Sequence, residues 1–305
     1  MTLSLEQAIK NTEQALLDGQ VFFGHGTDNA WDEAVFLTLG ACELPLDSGS
    51  DVLGMALSAA QQKQLEHWLI MRIEKRKPLA YLLGYTWFAG VQFAVAEEVI
   101  IPRSPIAELI VTHFAPVLKV QPQRALDICC GSGCIGIAMA LQMDIEQVDM
   151  VDISPPALAL AEQNIAMYQL QDRVKLYASN VYNSLPVDAR YDLIVSNPPY
   201  VDAKDFAAMP AEFGHEPELA LVSGDDGLAL TATILAEAAD WLTENGLLVV
   251  EVGNSELALQ AQLPEVPFVW LDLANGGNGI FCLTAAQCRQ WQACFIDWRQ
   301  AKLVV

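Results

Sequence analysis

The sequence predicts an α/β fold, a doubly wound and mostly parallel sheet of seven strands preceded by a small helical domain and a β-hairpin. Three observations carry that reading. From Pro102 onward short apolar runs alternate with segments of helical periodicity, a glycine-rich turn follows the first run, and acidic or amide residues stand just after later ones. Such alternation implies parallel strands, because each crossover helix returns the chain to the same sheet edge. With 305 residues the chain has room for one full α/β domain and a smaller one.

Residues 1–79 read as the helical domain. Apolar residues recur at helical spacing over 4–17 and 29–39, and 53–74 reads as a third helix, closed by the basic patch Arg72, Lys75, Arg76 and Lys77 before Pro78. The turn-rich stretch 44–51 joins the second to the third. Residues 80–101 switch to β character, with Trp87-Phe88, 91–95 and 99–101 separated by glycine or an acidic pair, and read as a hairpin linker. In 102–305, strands are expected at 125–129, 148–151, 174–177, 191–196, 246–252, 266–271 and 279–283, with helices at 104–118, 133–142, 155–168 and 227–244. Trp291, Phe295 and Trp298 are spaced for an amphipathic helix docked on its own domain.

Composition narrows the partners. The net charge of -22 argues against binding DNA non-specifically, since phosphates demand a basic surface, and favours a cationic partner. No basic stretch followed by an apolar one opens the chain and no run reaches the length of a membrane span, so neither export nor a membrane partner is expected. Seven cysteines without a C-x-x-C pair read as reduced thiols of a cytoplasmic protein. Cys129, Cys130 and Cys134 lack a nearby histidine and read as small buried residues, so no metal is expected.

Chemistry concentrates after the strands. Leu126 to Gly136 puts Gly131 and Gly133 on the first strand-to-helix turn, where a ligand can approach the backbone closely. The pattern Gly131-x-Gly133-x-x-Gly136 suits an NAD oxidoreductase as well as a methyltransferase. The preceding Asp127 suits a ligand with a cationic or amino-acid end and would repel a pyrophosphate. After the second strand, Asp152 is placed to accept both hydroxyls of a ribose, or else to cap the following helix together with Ser154. After the third, Asn180 can bond an adenine amino group while Val181 packs on the ring, or act as a plain turn residue. After the fourth comes Asn197-Pro198-Pro199-Tyr200, whose prolines hold the exit rigid. The Asn197 side-chain oxygen and the Pro198 carbonyl can accept both hydrogens of a planar -NH2 group, and the Tyr200 ring can stack on it.

In these residues the sequence resembles the class I S-adenosylmethionine-dependent methyltransferases, and specifically the HemK/PrmB family of protein-glutamine methyltransferases. Tyr81-Leu82-Leu83-Gly84, Phe88-Ala89-Gly90, Ile101-Pro102-Arg103, the glycine loop, Asp152 to Asn164, the Asn197 tetrapeptide, Glu216-Pro217 with Ala220-Leu221, and Asp226-Gly227-Leu228 occur in family order. The resemblance implies a Rossmann-like domain and S-adenosylmethionine held by Asp127, Gly131, Gly133, Asp152, Asn180, Val181 and Asn197. It places the acceptor at Asn197, Pro198, Pro199 and Tyr200, with Arg103 nearby. Where the family commonly has an acidic residue, this chain has Asn180. Residues 103–110 and 23–34 look like the branch that methylates a glutamine of a large-subunit ribosomal protein, rather than the branch acting on peptide-chain release factors. A basic ribosomal protein would be steered to an acidic enzyme by long-range attraction. The release-factor activity is the alternative. An adenine-N6 DNA methyltransferase shares the tetrapeptide but is disfavoured by the charge, and a non-catalytic assembly factor by the intact Asp152 and Asn197.

Overall fold

The computed structural model describes residues 3–303, and their contacts separate into two compact units. The first contains the chain up to Thr86 with Val95–Glu97 and Pro210–His215. Its helices are α1 (Leu5–Asp18), α2 (Ala30–Ala41), α3 (Ala59–Glu74) and α4 (Leu79–Leu83). Ser4, Asn29 and Ser58 cap the first three by accepting a backbone N–H three residues on, which satisfies a donor the helix leaves open. Helix α3 starts later than its apolar spacing suggests. Residues 53–57 are taken up by α1's entry instead, since Leu53 and Met55 accept from Glu6 and Leu5, and Leu57 donates to Leu3. Within this unit the Arg72 guanidinium is 1% exposed and ion-paired to Glu33 and Glu212, with a further bond to the Phe22 carbonyl at 2.6 Å. Such pairing is what makes a buried charge tolerable.

The short strands β1 (Tyr85–Phe88) and β2 (Val91–Ala94) pair as the expected hairpin, though a helical turn, α4, precedes them and 99–101 form no strand. Then follow α5 (Ile106–Val111), β3 (Arg124–Ile128), α6 (Cys134–Gln142), β4 (Gln147–Asp152), α7 (Pro155–Met167), β5 (Val174–Ala178), β6 (Tyr191–Ser196), α8 (Ala203–Ala208), α9 (Ala229–Trp241), β7 (Leu242–Glu251), α10 (Glu256–Gln262), β8 (Val269–Trp270), β9 (Ile280–Thr284) and α11 (Ala285–Leu303). Helix α5 is much shorter than 104–118, because His113 and Phe114 adopt positive φ and Pro116 has no N–H to continue a helical ladder. Helix α9 stops at Trp241 because Leu242 pairs with Tyr191. Among the described residues no helix is long and apolar enough to cross a membrane.

The sheet of the second unit has seven strands in the order β5-β4-β3-β6-β7-β9-β8, parallel apart from β9, which runs antiparallel to both β7 and β8. Central strands are apolar on both faces because helices cover both, which gives two core clusters, one on each side. Phe295 is fully buried in one of them, so α11 docks on its own unit. The strand order reverses between β3 and β6, since the chain winds outward from β3 to β5 and then returns to β3's other edge. In open α/β sheets ligands bind in the crevice outside the carboxyl ends at that reversal.

Candidate active site

Register brings the motif residues together. Ile128 at the end of β3 lies opposite Val151 of β4 and Ser196 of β6, and Ser196 lies opposite Val250 of β7. The next residues, Cys129, Asp152, Asn197 and Glu251, therefore leave four neighbouring strands side by side. The Ser196 hydroxyl locks the central pair by donating to the Ile128 carbonyl at 2.7 Å.

The glycine loop is built around two carboxylates. Asp152, half-buried, accepts from the Gly131 N–H through Oδ2 and from the Ser154 N–H through Oδ1, both at 2.9 Å, while the cap of the following helix is Ser154, whose side chain accepts from the Ala157 N–H. Asp127 is fully buried and accepts from the Gly136 N–H at 2.9 Å through Oδ2, while its Oδ1 has no hydrogen-bond partner among the described residues. Desolvation pushes its carboxyl up to about 8, the charge of Asp152 adds to the rise, and the Gly136 N–H opposes it. Gly136 permits the close packing of α6, because a Cβ there would overlap the Met150 sulfur. Asn164, on α7 and fully buried, holds the loop to the hairpin by donating to the Ser132 and Ala94 carbonyls and accepting from the Ala94 N–H. An open carboxylate oxygen beside a positive-φ Gly131 and Gly133 fits the amino-acid end of S-adenosylmethionine.

At the β6 exit, Asn197 Oδ1 is buried and without a hydrogen-bond partner among the described residues. A buried acceptor left open costs about 1–3 kcal/mol, so it calls for a donor from outside the chain. Pro198 is buried, and Pro199 and Tyr200 are half-buried. The Tyr200 hydroxyl donates to Glu251 Oε1 at 2.9 Å, and its carbonyl accepts from the Ser255 hydroxyl at 2.9 Å. Val201 then pairs with the 221–223 segment through bonds to the Leu221 carbonyl and the Ser223 N–H. After β5, Asn180 is exposed, whereas Val181 is buried at φ +51, a conformation that costs a β-branched residue about 1–3 kcal/mol and is typical of strained site residues.

A family model described as "Methyltransferase small domain" matches residues 107–224. The ribosomal protein uL3 glutamine methyltransferase of Francisella tularensis subsp. tularensis is 46% identical over 282 residues, which is 92% of this chain and 90% of that protein. The chain belongs to the ribosomal protein uL3 glutamine methyltransferase family. The Bordetella pertussis family member is 42% identical over 93% of this chain and 96% of its own length. Among solved structures, the hMettl16 catalytic domain in complex with MAT2A 3'UTR hairpin 1 matches with a TM-score of 0.51 at 14% identity, over 77% of this chain and 84% of that one, and shares the fold. The class I, Rossmann-like methyltransferase architecture expected for this enzyme is thus the one observed.

Within this methyltransferase family member, Arg103 spends its guanidinium on Glu216, with Nη1 to Oε1 at 2.5 Å and Nη2 to Oε2 at 2.7 Å, and Glu216 also accepts from the Ile101 N–H. That bidentate pair joins the Ile101-Pro102-Arg103 and Glu216-Pro217 segments, so that each anchors the other. His215 has no place at the strand ends, since its Nε2 bonds the Lys75 carbonyl within the helical unit. Sequence reasoning missed Glu251 and Ser255, which no motif announces, and named Asn164 only as the end of a landmark. It treated Gly227 only as a landmark, but a Cβ there would overlap the Tyr200 carbonyl, at a φ of +72. Gly227→Ala is accordingly expected to lower Tm by at least about 5 °C, on the order of 2 kcal/mol of strain for a chain this size, and to cut turnover. Thermal unfolding of the variant checks this, and an unchanged Tm would contradict it.

Proposed function

We propose that this chain acts in the cytoplasm and transfers a methyl group from S-adenosylmethionine to the side-chain amide nitrogen, N5, of a glutamine in ribosomal protein uL3. The observation that carries the site assignment is the buried, open Asn197 Oδ1 one residue beyond the register pair that also positions the glycine loop. Asp127 Oδ1 would receive the cofactor's amino group, Asp152 its ribose hydroxyls, and the Asn180-Val181 turn its adenine. When bound, the cofactor supplies an electrophilic sulfonium methyl.

The chain's own task is to prepare a poor nucleophile. An amide nitrogen's lone pair is delocalised into its carbonyl. Asn197 Oδ1 and the Pro198 carbonyl accept the two N–H groups, which raises electron density on nitrogen and directs its lone pair, while the Tyr200 ring supports the amide plane. Catalysis is then alignment and electrostatics, with no side chain acting as a general base at nitrogen and the released proton passing to water. The helical unit and hairpin would choose the substrate, and the charge of -22 would draw a basic ribosomal protein.

Incubating the purified chain with methyl-labelled S-adenosylmethionine and either uL3 or a peptide-chain release factor tests this reading. Label is expected in a uL3 glutamine and not in the release factor. Because the attraction is long-range, kcat/KM should fall about tenfold or more as salt rises from 0.05 to 0.5 M, roughly the range over which the screening length shrinks well below 10 Å. Labelling of the release factor alone would replace uL3 as substrate, and salt-insensitive kinetics would remove the steering.

A further inference from the structure

Tyr200 is held more firmly than a residue that merely lines a crevice requires. Its hydroxyl reaches Glu251 Oε1 at 2.9 Å, and Glu251 Oε2 accepts from the Ser104 hydroxyl at 2.5 Å. Ser104 is itself fixed, for its oxygen accepts from the Ile106 N–H at the start of α5. Glu251 is 3% exposed and is the last residue of β7, alongside Asn197. Behind the ring stands Gly253, where a Cβ would overlap the ring carbons, and Gly279 closes on Gly253 in turn.

A buried carboxylate is a costly way to satisfy two hydroxyls, either of which could be satisfied by a backbone carbonyl. What a carboxylate adds is direction. Its two oxygens bond two side chains on separate elements, so the Tyr200 hydroxyl is tied to a rigid strand end while Gly253 closes one face of the ring. We propose that Glu251 is a positioning residue that sets the plane of the Tyr200 ring, and through it the stacking of the acceptor amide over the open Asn197 oxygen. The inference rests on the reading of residues 197–200 as the acceptor site. Glu251 need not touch substrate or cofactor. Its effect on rate passes through Tyr200, and a tilt that displaces the amide by about 1 Å is enough to cost on the order of 10²-fold.

The test is a mutant cycle in kcat on uL3, with cofactor affinity measured alongside. Tyr200→Phe and Glu251→Ala are each expected to lower kcat about 10- to 100-fold with cofactor affinity little changed, and the double variant should be no slower than the slower single one. Glu251→Gln should recover most of the loss, because its amide oxygen still accepts from the Tyr200 hydroxyl and its amino group can donate to Ser104. Multiplicative losses in the double variant, or a Glu251→Gln as slow as Glu251→Ala, would overturn the proposal. Should Glu251→Ala fail to fold, Tyr200→Phe decides, since wild-type kcat without the hydroxyl means the tether has no role. Asn197→Ala run in parallel separates the two levels. Full activity there sinks the acceptor-site reading, whereas an inactive Asn197→Ala beside wild-type Tyr200→Phe sinks only the role of Glu251.

Discussion

Asn197→Ala is expected to lower kcat by about 10³-fold while leaving S-adenosylmethionine affinity within about threefold of the parent. Removal of one preorganised hydrogen-bonding group at a reacting centre costs about 10²–10³ in rate, and here the group lost is the side-chain acceptor that directs the nitrogen lone pair. The residue's own structural burden is small. Its Oδ1 has no bond among the described residues to lose, and the β6 exit is secured by Ser196, Tyr200 and Val201 through other partners. Folding should therefore survive, and removing an open buried acceptor even relieves a cost. Methyl transfer to uL3, with cofactor titration by calorimetry, provides the measurement. Near-normal turnover would end the assignment of the tetrapeptide as the acceptor site.

Asp127→Asn should weaken cofactor binding by at least about 100-fold and raise Tm at pH 8 by several degrees. Both follow from one buried carboxyl raised to about 8. The sign runs against the usual carboxylate. With a folded-state value above the ordinary 3.8, this group favours the fold fully below that value, and its contribution declines as pH climbs to about 8. The neutral amide lifts that penalty and keeps an oxygen for the Gly136 N–H. It also removes the charge that an ammonium group needs. In the parent, ionising Asp127 for a cationic ligand below pH 8 expels a proton. Between pH 6 and 7.5 apparent affinity should therefore improve close to tenfold per pH unit, with nearly one proton released per cofactor bound. Calorimetry in two buffers of different ionisation enthalpy reads that proton, and a pH-independent affinity would show that Asp127 does not meet the amino group.

How far these residues were legible in the chain follows the range of the forces that place them. The expected and observed limits of strand β6, Tyr191–Ser196, coincide, because a buried parallel strand is a continuous apolar run and proline ends it. The reading of 104–118 as one helix failed beyond Val111, since positive φ at His113 and Phe114 leaves no mark in the apolar spacing. Arg103 is expected near the acceptor from the resemblance. Its partner Glu216 lies 113 residues away, and no local pattern reveals that the fork is already occupied. At Asp152 the cap of the following helix falls to Ser154, and the carboxylate bonds the Gly131 and Ser154 N–H groups instead.

The alternation of strands and helices, and the position of Asp127, Gly131, Gly133, Asp152, Asn180 and Asn197 at or beside strand ends, follow from the order of the amino acids alone. Periodicity and loop chemistry are properties of a few neighbouring residues, so they survive without coordinates. That β3 and β6 lie side by side where the strand order reverses, which turns separate motifs into one crevice, emerges only in the folded chain. Folding likewise fixes which oxygens of Asp127 and Asn197 stay open, and brings Glu251 to the Tyr200 hydroxyl. Strand register and burial are set by contacts between segments tens of residues apart, and the reactivity of a buried polar atom depends on what those contacts leave unsatisfied.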